Sequence, residues 1–374
     1  MELVNYKNHI LKILFIAVAY LVSLPSVNAS SNFDFSLGID YSSADEVLDF
    51  FEYKTNDSKR VSELRGNRLV AATSELLARV EKSKDDFCRQ LELARAYEGF
   101  ESDVYGFSLA RKNIAQLRKL LDELKKRKID KKIVATLAAF FPEQAKFSTR
   151  FSVYFVVIGN EKATAFVRHV IWKYDTPVFV DEERGEPVIV VNLARVAEVT
   201  TDLDAQFIEV LSVTAHECFH SVYSVVQKSL PLSVKPKNYA ESLLEIVQNE
   251  GIAYYLSMQI HIGTERPSFL WFEQTANAIR VLNGALLELY STNITEHRAM
   301  ELLMSANLSG SFEGNYGSTA GLRMAYEIDR LLGRVELTQT ILGGGRAFLL
   351  AYKNACLKDP TLPKVDSKIL KLIE

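Results

Sequence analysis

His216-Glu217-Cys218-Phe219-His220 brings together the ligands and the base that hydrolytic metal chemistry needs. Two histidines four apart on a helix project from one face and can share a single tetrahedral ion. Glu217, between them, sits beside that ion, placed to take a proton from an attacking water. Water attacks a peptide carbonyl at neutral pH only if it is made nucleophilic, which zinc and a carboxylate base together achieve. The pattern implies zinc-dependent hydrolysis of peptide bonds, with one zinc per chain and a peptide or protein as substrate.

The element that must carry these residues is legible. Leu203 to Val225 contains neither Pro nor Gly and reads as one helix, capped by Asp202 or Asp204. Phe207, Leu211, Cys218 and Val222 form an apolar stripe on it, with His216 and His220 about half a turn away. Ile208, Ala215 and Phe219 make the flanks apolar too, so the helix is expected to be buried. Buried imidazoles and a carboxylate need partners, because unpaired polar groups are costly there, and a metal supplies one.

Such a site needs a third protein ligand and an open fourth position for water. The helical stretch from Tyr239 to Tyr255 offers Glu241, Glu245 and Glu250. Glu241 and Glu245 share a face and read as solvated. Glu250 is preferred because Asn249, Gly251 and Ala253 place small residues beside it. They would let this helix approach the first closely enough for a bond of about 2 Å to zinc.

His-Glu-x-x-His followed by Asn-Glu-Gly-x-Ala resembles the gluzincin metallopeptidases, the group that includes thermolysin and the aminopeptidase N-like enzymes. The resemblance implies zinc held by His216, His220 and Glu250, with Glu217 as general base and proton shuttle. Here 29 residues separate His220 from Glu250, more than in either of those enzymes. That spacing is closer to the looser peptidase-MA-like families of zinc-dependent peptidases. The stretches Tyr316–Gly333 and Leu342–Gly345, the latter leading into a helix that ends near Tyr352, are similar to the C-terminal part of those families. The resemblance spans Phe151 to Tyr352. It implies an α+β, mainly helical fold: a gluzincin-like catalytic core with a small mixed sheet, an active-site helix and a C-terminal helical subdomain. By the same resemblance Val188 to Leu193 would be an edge strand lining the substrate cleft; an interior strand is the other reading of this run.

A tetrahedral intermediate develops an oxyanion, which calls for a donor besides zinc. Relatives of this class use a Tyr or His from the downstream half, which points to Tyr316, with His297 as runner-up. Tyr254, one turn beyond Glu250, is placed to brace a ligand.

Lys7 and Lys12 precede the apolar run Ile13–Leu24 and the small residues around Ala29-Ser30, the parts of a secretory signal peptide. Cleavage after Ala29 is expected, giving an exported protein, periplasmic or secreted, without stable membrane insertion. A net charge of -3 provides no basic field for nucleic acid. Cys88, Cys218 and Cys356 are too few and scattered for a disulfide framework, although Cys88 and Cys356 could pair after export.

The organisation reads as signal peptide 1–29, N-terminal helical region 30–147, zinc-binding catalytic subdomain 148–260 and C-terminal helical subdomain 261–374. Ile114, Leu117, Leu121 and Leu124 form a stripe suited to packing, and Lys125–Lys128 reads as a solvated helix end. Strands are expected at Phe151–Ile158, Val178–Val180 and Val188–Leu193, the last two joined by a hairpin-like turn at Asp181–Glu186. Gly343-Gly344-Gly345 lacks a phosphate-cradle context and reads as a helix-entry loop. Two other functions share the same residues: a zinc amidase acting on cell-wall peptides, and a non-catalytic envelope binding protein with a vestigial metal site. The catalytic readings are preferred because His216, Glu217, His220 and Glu250 are all present and no residue suggests itself as a fourth, closing ligand.

Overall fold

A computed structural model describes residues 33–374 except 79–83, 98–102, 146, 160–163, 263–266 and 308–313. The signal segment 1–29 lies outside the described residues. Among those described, fifteen helices surround one five-stranded sheet, a mainly helical α+β fold.

Strand β1 (Phe33–Asp40) is followed by seven helices: α1 (Ser42–Phe51), α2 (Ser58–Glu63), α3 (Arg65–Ala78), α4 (Lys84–Ala96), α5 (Phe107–Lys112), α6 (Ile114–Lys126) and α7 (Ile129–Ala138). The chain then lays down β2 (Phe147–Val156), β3 (Ala165–Lys173), β4 (Thr176–Phe179) and β5 (Glu186–Asn192). Their order in the sheet is β1-β2-β5-β3-β4. β1, β2 and β5 run parallel, while β3 is antiparallel to both β5 and β4.

β5 is therefore an interior strand, which overturns the edge reading of Val188–Leu193. The physical reason is visible in its residues. Val188, Ile189, Val190 and Val191 are all fully buried, as a strand covered on both faces requires. The turn after β4 is not a hairpin either, because β3 lies between β4 and β5. The true hairpin joins β3 to β4 through Tyr174-Asp175, both at positive φ, which matches the twist of paired strands. Neither β1 nor β3 was anticipated, although Phe33, Phe35, Leu37 and Ile39 alternate with period two.

After β5 come α8 (Leu193–Val199) and the long helix α9 (Leu203–Ser229) that carries the His-Glu-x-x-His residues. Of the two possible caps it is Asp202 that serves, its carboxylate accepting from the Ala205 N–H at 2.7 Å. α9 packs across β2, β5 and β3, and α6 and α7 lie against it. Leu117, Leu120, Leu121 and Leu124 of α6 are buried, so the stripe is a packing face. The basic run beyond it is paired: Lys125 with Asp45, and Arg127 with Glu123 and with Asp204 in the first turn of α9.

The C-terminal half consists of α10 (Tyr239–Ile262), α11 (Phe269–Leu289), α12 (Glu296–Asn307), α13 (Tyr316–Leu332), α14 (Arg334–Lys358) and α15 (Ser367–Ile373). The triple glycine lies within α14, where Gly344, at φ 69° and ψ -172°, is non-helical and divides it into two helices. A helix does start there, although another helix rather than a long loop leads into it. The three cysteines are free; Cys356 Sγ faces the Pro363 carbonyl, while Cys88 Sγ faces that of Ser58.

α10 and α13 cross with almost no space between backbones. A Cβ on Gly251 would stand 2.3–2.6 Å from backbone atoms of Gly321, and one on Gly321 would stand 2.0 Å from the Val247 carbonyl oxygen. In an open helix, Gly→Ala stabilises by about 1 kcal/mol. At this crossing the sign is reversed: Gly251→Ala and Gly321→Ala are each expected to destabilise by about 2–3 kcal/mol, because the helices must part. Urea unfolding of the two variants beside wild type measures this, and a gain in stability would refute the close crossing.

Candidate metal centre

α9 and α10 pack side by side, and their facing surfaces bring His216, His220 and Glu250 together. His216 Nε2 and His220 Nε2 are 3.0 Å apart. Glu250 Oε1 lies 3.6 Å from His220 Nε2, and Glu250 Oε2 lies 4.0 Å from His216 Nε2. Their side chains are only 14, 19 and 11% exposed. Ligands about 2.0–2.1 Å from a tetrahedral zinc stand about 3.3 Å from one another, and the separations here lie on either side of that figure.

The outer atoms of the imidazoles are held. Asn249 Oδ1 lies 3.0 Å from His220 Nδ1. The His216 ring hydrogen-bonds the Ala253 backbone, and its Nδ1 is 3.4 Å from Ser257 Oγ. With protons on both Nδ1 atoms, two Nε2 lone pairs and a carboxylate face one point. That arrangement repels itself unless a cation sits between them, so the donor set fits zinc. Burial, with the neighbouring His220, holds His216 well below the usual imidazole range and keeps it neutral, the form in which a histidine ligates.

Glu250 is steadied from the far side. Asn307 Nδ2 donates to its Oε1 at 2.7 Å, and Ser318 Oγ in turn donates to Asn307 Oδ1 at 3.2 Å. Sequence reasoning missed both partners, since they lie on α12 and α13, far along the chain. Of the small residues beside Glu250, Gly251 faces Gly321 of α13 rather than α9, while the Ala253 backbone does meet His216 of α9. Asn249, next to Glu250, is the orienting group for His220. Glu241 and Glu245 stay outside the cluster. The Glu241 carboxylate accepts from the Lys237 N–H, and burial beside Glu182 pushes the Glu245 carboxyl up.

Glu217 makes no side-chain hydrogen bond among the described residues. Burial raises its carboxyl above the usual range; His220 and Arg168 oppose the rise and Glu250 adds to it. A base so tuned holds a proton more readily once it has taken one. The turn after β4 is fastened to α9 one turn past His220: Ser224 Oγ donates to the Glu182 carboxylate, and Lys228 Nζ lies 3.3 Å from it.

Tyr316 does not reach the cluster. It is buried at the start of α13, and its hydroxyl donates to the Leu302 carbonyl at 2.8 Å, leaving nothing for an oxyanion. His297 is solvent-exposed and faces Glu301. Tyr254 does reach it: its ring meets that of His216 edge-on, centroids 4.7 Å apart. Burial first, then the charges of Glu250 and Glu217, push its phenol up to about 12, so it keeps its proton.

A family model described as "Putative zinc dependent peptidase (DUF5700)" matches residues 58–361. No curated protein and no solved structure matches the chain.

Elemental analysis of purified protein tests the ligand set: about one zinc per chain in wild type, lost in Glu250→Ala and kept in Glu245→Ala. Asn307→Ala should keep the fold and bind zinc about 10–100-fold more weakly, as loss of a partner to a metal ligand does. Zinc retained by Glu250→Ala at wild-type affinity would remove Glu250 from the site.

Proposed function

The chain belongs to this zinc-dependent peptidase family, and from that membership and its site we propose that it hydrolyses peptide bonds, with His216, His220 and Glu250 holding one zinc and Glu217 acting as general base. The observation that carries this reading is the convergence of three ligand atoms beside a glutamate whose carboxylate has no partner among the described residues. Bound zinc would acidify the attacking water and polarise the scissile carbonyl. Glu217 would take the proton that the water releases and pass it to the departing amine nitrogen. Asn249, Asn307 and the Ala253 backbone would keep the ligands aimed throughout.

An extended substrate needs a backbone to pair with. On β3, the pairing with β4 runs from Lys173 back to Val170, and the Val180 N–H reaches the His169 carbonyl. No described strand pairs with the outer side of Ala165–Arg168, which makes this stretch the edge that an added peptide strand would fit. It also lies near the base, for the charge of Arg168 acts on Glu217. We assign peptide alignment to it, in place of Val188–Leu193.

The N-terminal sequence supports an exported enzyme, with Ser30 as first residue after cleavage. No described helix is long and apolar enough to cross a membrane.

Glu217→Gln is the test. The variant should bind zinc as wild type does, while hydrolysis of a peptide library, read by mass spectrometry, falls by about 10²–10⁴-fold. Chelation should silence the wild type and added zinc restore it. A zinc-loaded wild type that cleaves no peptide, or a Glu217→Gln variant as active as wild type, would overturn the reading.

A further inference from the structure

Several buried tyrosines around the site have their hydroxyls engaged. Tyr223 donates to Gln248 Oε1, Tyr255 to Asp329 Oδ2, Tyr316 to the Leu302 carbonyl and Tyr352 to the Pro363 carbonyl. A phenol enclosed by protein ordinarily finds such a partner. Tyr254 differs. It is partly buried, its ring is fixed against His216, and its hydroxyl makes no hydrogen bond among the described residues. It stands one turn beyond Glu250 on the same face of α10. Its ring lies edge-on to that of His216, centroids 4.7 Å apart, which places the group at the cluster.

We propose that Tyr254 is a catalytic residue whose hydroxyl donates a hydrogen bond to the substrate oxygen that becomes negative as the scissile carbonyl is attacked. The inference rests on the peptidase reading above. As the oxygen of water bonds to the carbonyl carbon, the carbonyl π pair moves onto the carbonyl oxygen. Glu217 takes the proton of the water, and Tyr254 keeps its own and shares it. Tyr254 thus fills the role that the committed hydroxyl of Tyr316 cannot. Its rigidity suits the role, because a donor already aimed needs no reorganisation when the charge appears. The alternative is a brace, a ring that does no more than hold His216. Phe would brace as well as Tyr, so one substitution separates the two.

Tyr254→Phe should keep the wild-type zinc content. With a peptide taken from the library cleavages, kcat should fall about 10²–10³-fold with KM little changed, the usual effect of losing one oxyanion donor. A second measurement does not depend on turnover. Inorganic phosphate, a tetrahedral oxyanion, is titrated calorimetrically into zinc-loaded wild type and Tyr254→Phe, and the variant should bind about tenfold more weakly or worse. Unchanged kcat, or equal phosphate affinity in the two proteins, would overturn the proposal while leaving the peptidase reading intact. A variant that loses zinc would tie the hydroxyl to the integrity of the metal site and overturn the proposal too. If wild type cleaves nothing, the peptidase reading fails, and the phosphate titration alone decides whether Tyr254 is an oxyanion donor.

Discussion

Two imidazole lone pairs and a carboxylate aimed at one point repel each other, and the rest of this fold can be understood as what holds them there. His216 and His220 are fixed relative to one another by a single helix, so their Nε2 atoms, 3.0 Å apart, need only the right rotamers. Glu250 arrives on a second helix, and its position depends on how closely and at what angle the two pack. Asn249 touches His220 and the Ala253 backbone touches His216, so α10 delivers the third ligand together with the groups that orient the other two.

α10 is in turn located by its opposite side. Gly251 sits against Gly321 of α13, and Gly345 of α14 comes up to the backbone of Leu244 and Glu245. One residue separates the function of Glu250 from that of Gly251: the carboxylate points at the histidines, while the missing side chain lets the next helix in. Asn307 and Ser318 continue the chain of contacts from Glu250 into α12 and α13. The C-terminal helices thus support the centre from behind, as the sheet and the N-terminal helices support α9.

What could be read from the sequence followed from local rules. The zinc helix announced itself by period, by the Asp202 cap and by the absence of breakers. The β5 run announced itself as a strand, and its unbroken Val188–Val191 already carried the mark of burial on both faces, which argued against an edge. β3 was missed because Arg168, His169 and Lys173 interrupt its apolar residues. Asn307 could not have been found from spacing at all, since its tie to Glu250 spans sequence that no helical or strand period connects. Tyr316 and Tyr254 were both legible as tyrosines near helical features. What separated them was where each hydroxyl goes, a matter of tertiary packing: Leu302 supplies an acceptor to one, and nothing described supplies one to the other.

β1 carries a consequence for how the molecule is made. Among the described residues it pairs in the sheet only with β2, in a register that sets Phe33 against Phe147, and β2 depends in turn on β5. Contacts so far apart in sequence form slowly, because a long loop must close before they return any stabilisation. A chain that emerges N-terminus first therefore carries β1 as an unpaired, apolar-alternating strand until β2 has followed it out. During that interval the strand is open to mispairing with other chains. The earliest described element of the protein is thus among the last to find its place.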